Sequence, residues 1–220
     1  MSDAQGDAGT RAEYWENFYQ GREQVWSKDP NPLLVREVAR LTPGTALDLG
    51  CGEGGDAVWL AGQGWQVTAV DVSDTALERA AALAEHQGVG ASIGWQRHDL
   101  AETFPEGRFD LVSAQFFHSP VAIAQERDKV LRRAAEAVAP KGTLLIVGHG
   151  EWPSWVRDAP HEHDVPDIHF PTNSEVLTAL GLAEGDWVVE TDEAVLRDLT
   201  GPNRQNGTRN DIVLKLRRTT

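Results

Sequence analysis

Residues 45–55 read TALDLGCGEGG: an apolar strand runs into a glycine-rich turn, and the next strand, VTAVD, closes on Asp71, 23 positions after Asp48. Glycines suit a turn that must take positive φ or bring backbone against a ligand, because neither tolerates a Cβ. A carboxylate ending the following strand can accept both hydroxyls of a ribose, so the pair points to a cofactor that contains adenosine. Gly50, Gly52 and Gly55 also satisfy G-x-G-x-x-G, which keeps nicotinamide and flavin dinucleotides open. Asp48, just before the first glycine, suits a cationic amino group. Glu53 places a further negative charge where a pyrophosphate would meet the helix N-terminus. Both favour a ligand with a positive end.

Outward from this turn, apolar strands alternate with helical patterns. Val58, Leu60 and Ala61 mark a helix ending near Gly62–Gly64, and Ser73 is placed to N-cap DTALERAAALAEHQ. SIGWQRHD, FDLVSAQ and TLLIVGH read as further strands, RDKVLRRAAEAV and 173–182 as helices, and DWVVETDE and DIVLKLRR as the last two strands. Such alternation implies an α/β fold, a parallel sheet with helices on both faces. The chain reads as one domain over 1–220, with residues 1–12 disordered and 13–41 a helical cap striped by Tyr14, Trp15, Phe18 and Tyr19. Residues 149–172 form a long non-periodic connection, expected as an acceptor-side loop. GPNRQNGTRND, 201–211, reads as a structural hairpin turn remote from chemistry, with Arg204 and Arg209 weak anion-binding candidates.

Thirty-four acidic against 20 basic side chains give a formal charge of −14, which repels nucleic acid and anionic membranes. The single cysteine, Cys51, excludes an intramolecular disulfide and suits a reducing cytoplasm. No signal peptide or membrane span is indicated. The expectation is a cytoplasmic protein acting on a small molecule, with no oligomeric state assigned.

ALDLGCGEGGDAVWLA, VTAVDVS, WQRHDL and FDLVSA, in that order between about residues 45 and 114, resemble motifs one to four of class I S-adenosylmethionine-dependent methyltransferases. The N-terminal YWENFYQGREQVWSKDPNPLL is similar to small-molecule methyltransferases of the tellurite-resistance and thiopurine type. The resemblance implies a Rossmann-like, doubly wound, seven-stranded sheet of order 3-2-1-4-5-7-6 with the last strand antiparallel. It also implies S-adenosyl-L-methionine as methyl donor and S-adenosyl-L-homocysteine as product, with no metal. Asp48 and the backbone of Gly50, Cys51 and Gly52 would hold the amino-acid portion, and Asp71 the ribose. Val72, Asp99 and Leu100 would surround the adenine, with Ala114 at the end of the fourth motif bordering the site. Trp26 would fold over the cofactor or else pack the N-terminal helix onto the sheet.

Methyl transfer is an in-line displacement in which a nucleophile must be held and water excluded; a hydroxyl acceptor needs a base, whereas a thiolate or heteroaromatic nitrogen does not. AQFFHSP after the fourth strand lacks the [DNS]-P-P-[YFW] tetrad of enzymes that methylate exocyclic amines in DNA or glutamine. His118 and His149 are the base candidates, each also readable as a hydrogen-bonded loop histidine. Tyr14, Trp15, Tyr19, Phe117, Trp152 and Trp155 are candidate walls of an acceptor chamber. His161, Glu162, His163, Asp164 and His169 are metal-ligand types, but they form no H-E-x-x-H and include no cysteine, so no metal is expected. The alternatives are a dinucleotide-dependent oxidoreductase and a cofactor-binding module without transfer activity.

Overall fold

The computed structural model describes residues 10–117, 125–158, 168–201 and 204–220. Seven strands form one sheet: β1 (Thr45–Leu49), β2 (Gln66–Asp71), β3 (Ile93–Arg97), β4 (Phe109–Gln115), β5 (Val138–His149), β6 (Trp187–Thr200) and β7 (Asn206–Arg218). Their order is β3-β2-β1-β4-β5-β7-β6. All neighbours pair in parallel except β7, which runs antiparallel to both β5 and β6. The strand order reverses between β1 and β4, and ligands of open α/β sheets sit in the crevice outside the carboxyl ends at such a reversal.

Helices α1 (Arg11–Gln20), α2 (Pro32–Val38), α3 (Gly55–Gly62), α4 (Asp74–His86), α5 (Glu126–Glu136), α6 (Ser154–Arg157) and α7 (Asn173–Leu180) complete the fold. The inner strands read as unbroken apolar runs because both faces are covered. Leu47, Val112, Leu144 and Leu214 pack with Val130 and Leu131 of α5 and Val176 of α7 on one face. Ala46, Leu111, Leu145 and Val213 pack on the other with Leu34 of α2, Leu60 of α3 and Leu83 of α4.

Three elements depart from the sequence reading. Helix α1 begins at Arg11, inside the segment expected to be disordered, because Thr10 and Glu13 form a reciprocal capping box; residues 1–9 lie outside the described residues. Strand β5 starts at Val138, before Gly142 rather than after it. The final hairpin is far longer than expected, with Thr200 paired to Asn206, so most of 201–211 is strand and not turn. Charged residues alternating along an edge had masked that periodicity.

Helix α1 is fastened to the N-terminus of α4. Ser73 Oγ donates to Glu16 (2.7 Å), as does Thr75 Oγ1 (2.5 Å). Desolvation raises the Glu16 pKa, but these bonds outweigh it and hold the carboxyl down at about 2. A depressed carboxyl contributes stability above its ordinary pKa and loses it as pH falls from about 4.5 towards 2. Glu16→Gln is therefore expected to lower the amide protection factors of residues 11–20 at pH 6, and acidification of the unmodified chain towards pH 3 to lower them as well, once the intrinsic slowing of base-catalysed exchange is divided out. Unchanged protection factors in both would remove the clamp.

Candidate active site

The turn after β1 is built against aromatic rings. Gly52 has φ +53, and a Cβ there would stand 3.1 Å from Tyr19 Oη and 3.2 Å from Trp26 Cδ1. Trp26 Nε1 donates to Tyr19 Oη (3.1 Å), so the segment after α1 closes over the turn even though the Trp26 ring is half-exposed. Glu53 is the tie: it accepts the backbone N–H groups of Val25 (2.9 Å) and Trp26 (2.8 Å) and a hydrogen bond from Arg79 (2.8 Å). Burial opposes its charge, yet these partners hold the Glu53 pKa below the ordinary value. Its charge is thus spent on closing the loop and on Arg79, which weakens the sequence argument that Glu53 repels pyrophosphate.

Asp71 is buried at the end of β2. Its Oδ2 accepts the Gly52 N–H and its Oδ1 the Ser73 N–H, both at 3.0 Å. Each oxygen keeps a lone pair. Asp48 is 2% exposed, and its Oδ2 has no hydrogen-bond partner among the described residues. Burial, then the charges of Asp56 and Asp71, pushes its pKa well above the ordinary range. Burial pushes Asp56 up to about 6, against a hydrogen bond from the Asn31 N–H. Burial and the same acidic neighbours raise the Cys51 thiol, which removes it as a nucleophile.

A cavity of about 530 Å3 runs from this acidic turn to the ends of β4 and β5. Of the residues named from sequence, it brings together Trp15, Tyr19, Trp26, Asp48, Gly50, Cys51, Gly52, Asp71, Val72, Asp99, Leu100, Phe117 and His149. Four are not on its walls. Ala114 is fully buried in the sheet, Tyr14 stacks on Phe18 along α1, Trp152 packs edge-on against Phe170, and Trp155 lies beside Gly207. The two tryptophans sit against the loop and hairpin surface because the lengthened β6–β7 hairpin supplies that side of the cavity. His118 and the histidines 161 and 163 lie outside the described residues, while His169 is exposed beside Glu175 (3.1 Å).

Sequence reasoning missed Arg11, Arg197 and Asp211, and it named Arg209 only as a weak anion-binding candidate on a turn expected to be remote from chemistry, whereas Arg209 lines the cavity from β7. Arg11 reaches from α1 to pair with Asp99 and Glu126, so one oxygen of the expected adenine acceptor is engaged by the cap. At the opposite end, His149 Nδ1 lies 3.1 Å from Oδ1 of the fully buried Asp211, which also accepts from Arg197 (2.8 Å) and Arg209 (2.8 Å). The signal for Arg209 and Asp211 was their spacing of two on one strand, which puts both on one face. Phe116 has φ +50, rare for a bulky residue, and stacks on His149 with ring centroids 4.4 Å apart.

Residues 46–142 match the family described as Methyltransferase domain. Over 189 residues the chain is 27% identical to the 2-heptyl-1-hydroxyquinolin-4(1H)-one methyltransferase of Mycobacteroides abscessus, covering 78% of this chain and 82% of that protein. The chain carries a methyltransferase domain of the class I, S-adenosylmethionine-dependent kind over residues 46–142. Its fold is shared with a structure described for conversion of a disulfide into a thioacetal in echinomycin biosynthesis (TM-score 0.71, 24% identity, 94% of this chain and 92% of that one). It is shared also with TehB from Haemophilus influenzae (TM-score 0.64, 18% identity, 93% and 67%). The chain spans about a third of the length of the ribosomal RNA and tocopherol methyltransferases that it also matches.

The cofactor of this class fits the residues present. S-adenosylmethionine carries an ammonium and a sulfonium, and the orphaned Asp48 Oδ2 offers a cation the partner that the described residues do not supply. The spare lone pairs of Asp71 suit ribose hydroxyls, and Val72 and Leu100 give apolar surface for a base. This methyltransferase domain should therefore bind S-adenosylhomocysteine more tightly as pH rises from 5 to 7, because an ammonium stabilises the ionised carboxylates and so works against the raised pKa values of Asp48 and Asp56. One proton released corresponds to about tenfold per pH unit. Calorimetry in buffers of different ionisation enthalpy reads that proton, and Asp56→Asn should flatten the dependence. Asp71→Asn, which keeps one acceptor for the backbone, is expected to weaken binding by at least about tenfold, whereas Asp71→Ala strands two buried N–H groups and lowers the Tm as well.

Proposed function

We propose that this chain transfers a methyl group from S-adenosylmethionine to a small-molecule nucleophile, with His149 as general base where that nucleophile is a hydroxyl or thiol. The observation that carries this reading is the single cavity joining the glycine turn to a histidine whose orientation is set by a fully buried carboxylate. When bound, S-adenosylmethionine supplies an electrophilic methyl on sulfur. The protein's part is to bind, orient and exclude water.

Asp211 accepts hydrogen bonds from two arginines. Burial opposes its ionisation, but His149 and Arg209 hold its pKa below the ordinary value. An ionised carboxylate only accepts, so the His149 proton resides on Nδ1 and Nε2 is the basic nitrogen. Asp211 is a positioning residue, and His149 the group that would take the acceptor's proton. Phe116 and Phe117 supply the apolar wall that keeps water from the reacting atoms.

A small-molecule acceptor is supported by the net charge of −14, which disfavours nucleic acid, and by the quinolone methyltransferase relative, matched along most of its length. No helix among the described residues is long and apolar enough to cross a membrane, and the cysteine usage suits the cytoplasm proposed for it. We expect that a screen of heteroaromatic hydroxyls, thiols and amines, read as S-adenosylhomocysteine formation by mass spectrometry, will find turnover. His149→Gln should then cut kcat on a hydroxyl acceptor by about 10²–10⁴ and abolish the acid limb of the pH–rate profile, while leaving S-adenosylhomocysteine affinity within about twofold. Cofactor binding without turnover on any acceptor would instead make the chain a binding module.

A further inference from the structure

The cavity is electrically divided. Asp48, Asp56 and Asp71 line it at the glycine turn, Arg11 is neutralised on its wall by Asp99 and Glu126, and Arg127, Arg197 and Arg209 line it beyond β4 and β5. On a chain of net charge −14, three guanidinium groups gathered at one end of a cavity call for a physical account.

Arg197 and Arg209 stand directly opposite each other in the β6–β7 pairing, an arrangement that destabilises an antiparallel ladder unless a counter-charge intervenes. Asp211 is that counter-charge. It receives Arg197 NH1 at Oδ2 (2.8 Å), Arg209 Nε at Oδ1 (2.8 Å) and Arg209 NH2 at Oδ2 (3.4 Å). Among the described residues it is the one carboxylate within salt-bridge distance of either arginine. Two cations and one anion leave a surplus of one positive charge. Both arginines are largely shielded from solvent, with side-chain exposures of 22% and 14%, so water screens that surplus poorly. Arg127 adds to it: its Nε donates to the Phe117 carbonyl (3.2 Å), and no carboxylate among the described residues lies within salt-bridge distance. Arg209 also sits over the Phe116 ring, 5.8 Å from its centroid, so the cationic corner adjoins a flat aromatic wall.

Resting on the methyl-transfer reading above, we propose that Arg197 and Arg209 form an oxyanion-binding corner that selects a flat aromatic acceptor carrying a negative charge, as a carboxylate or as an ionised acidic hydroxyl. The anion supplies the second counter-charge that the Arg197–Arg209 pair lacks, and the planar fork of each guanidinium matches an oxyanion. The ring lies along Phe116 and Phe117. Acidic turn and basic corner together orient a positively charged donor and a negatively charged acceptor in one cavity, and each half disfavours the other's ligand.

The test uses the full chain saturated with S-adenosylhomocysteine at pH 8 and calorimetric titration with two matched probe pairs. One is 2-naphthoate against 2-naphthamide; the other is 1-hydroxyquinolin-4(1H)-one, which ionises at the atom that would be methylated, against quinolin-4(1H)-one. At least one anion should bind about tenfold or more tightly than its neutral partner, and the pair that shows the preference identifies carboxylate or ionised hydroxyl as the source. Arg209→Gln should shrink the preference about tenfold with S-adenosylhomocysteine affinity within twofold. Because losing Arg209 can unsettle the hairpin, Asp211→Asn gives a readout of opposite sign: removing the competing carboxylate should strengthen anion preference severalfold, an outcome that a purely structural arginine pair does not produce. Equal affinity within both pairs, no binding by any probe, or preferences unmoved by both substitutions would overturn the anion corner while leaving the methyl-transfer reading intact. Failure of S-adenosylhomocysteine to bind at all would overturn both.

Discussion

Asp71 holds the nucleotide side of the molecule together. One carboxylate, desolvated at the end of β2, fixes the Gly52 N–H of the turn after β1 and the Ser73 N–H at the head of α4. It thereby sets the distance between the first two βα units. Everything draped over the turn depends on that spacing: Tyr19 and Trp26 close on Gly52, Glu53 draws the backbone of residues 25 and 26 inward, and Glu16 ties α1 to the residues capped by Ser73. The energetic cost is concentrated in Asp48, Asp56 and Asp71, three acids whose burial disfavours their own charge. Such a cluster is tolerable in a fold whose ligand brings positive charge to it.

The opposite end of the cavity is organised by the same kind of atom in the opposite electrostatic setting. Asp211 is equally buried, but the donors around it hold its pKa below the ordinary value, whereas Asp48 Oδ2 has no hydrogen-bond partner among the described residues and burial pushes its pKa up. Identical side chains thus suit a cationic ligand in one place and scaffold the protein's own cations in the other. The difference lies wholly in what the neighbouring strands contribute.

Local patterns in the sequence carried the strands, the glycine turn, Asp71 and the order of elements, because hydrophobic periodicity and turn chemistry act over a few residues. His149 was legible as well, since it ends an apolar strand at the ligand-binding edge. Arg11, Arg197 and Asp211 were not. Their roles arise from partners 88, 14 and 62 positions away, and no local rule encodes such pairings. Glu53 was visible as a charge in the turn, but its partners were not: Arg79 and two backbone donors offset that charge and so weaken its expected repulsion of a pyrophosphate. The final hairpin was underestimated for a related reason, its charged edge residues looking like a loop until their alternation was placed beside β7.

The topology of that hairpin bears on how the protein comes into being. β7 is the last strand in this chain yet lies inside the sheet, between β5 and β6. Until it inserts, the apolar edge of β5 has no neighbour, and that pairing is made across a long stretch of chain, which slows folding and exposes an aggregation-prone edge. The glycine turn, by contrast, is assembled from β1, β2 and β4, all earlier in the chain. Every strand that frames the glycine turn is thus made before the final hairpin, whereas the wall carrying Arg197, Arg209 and Asp211 depends on the last strand to pair, so the two ends of one cavity rest on opposite ends of the chain's order.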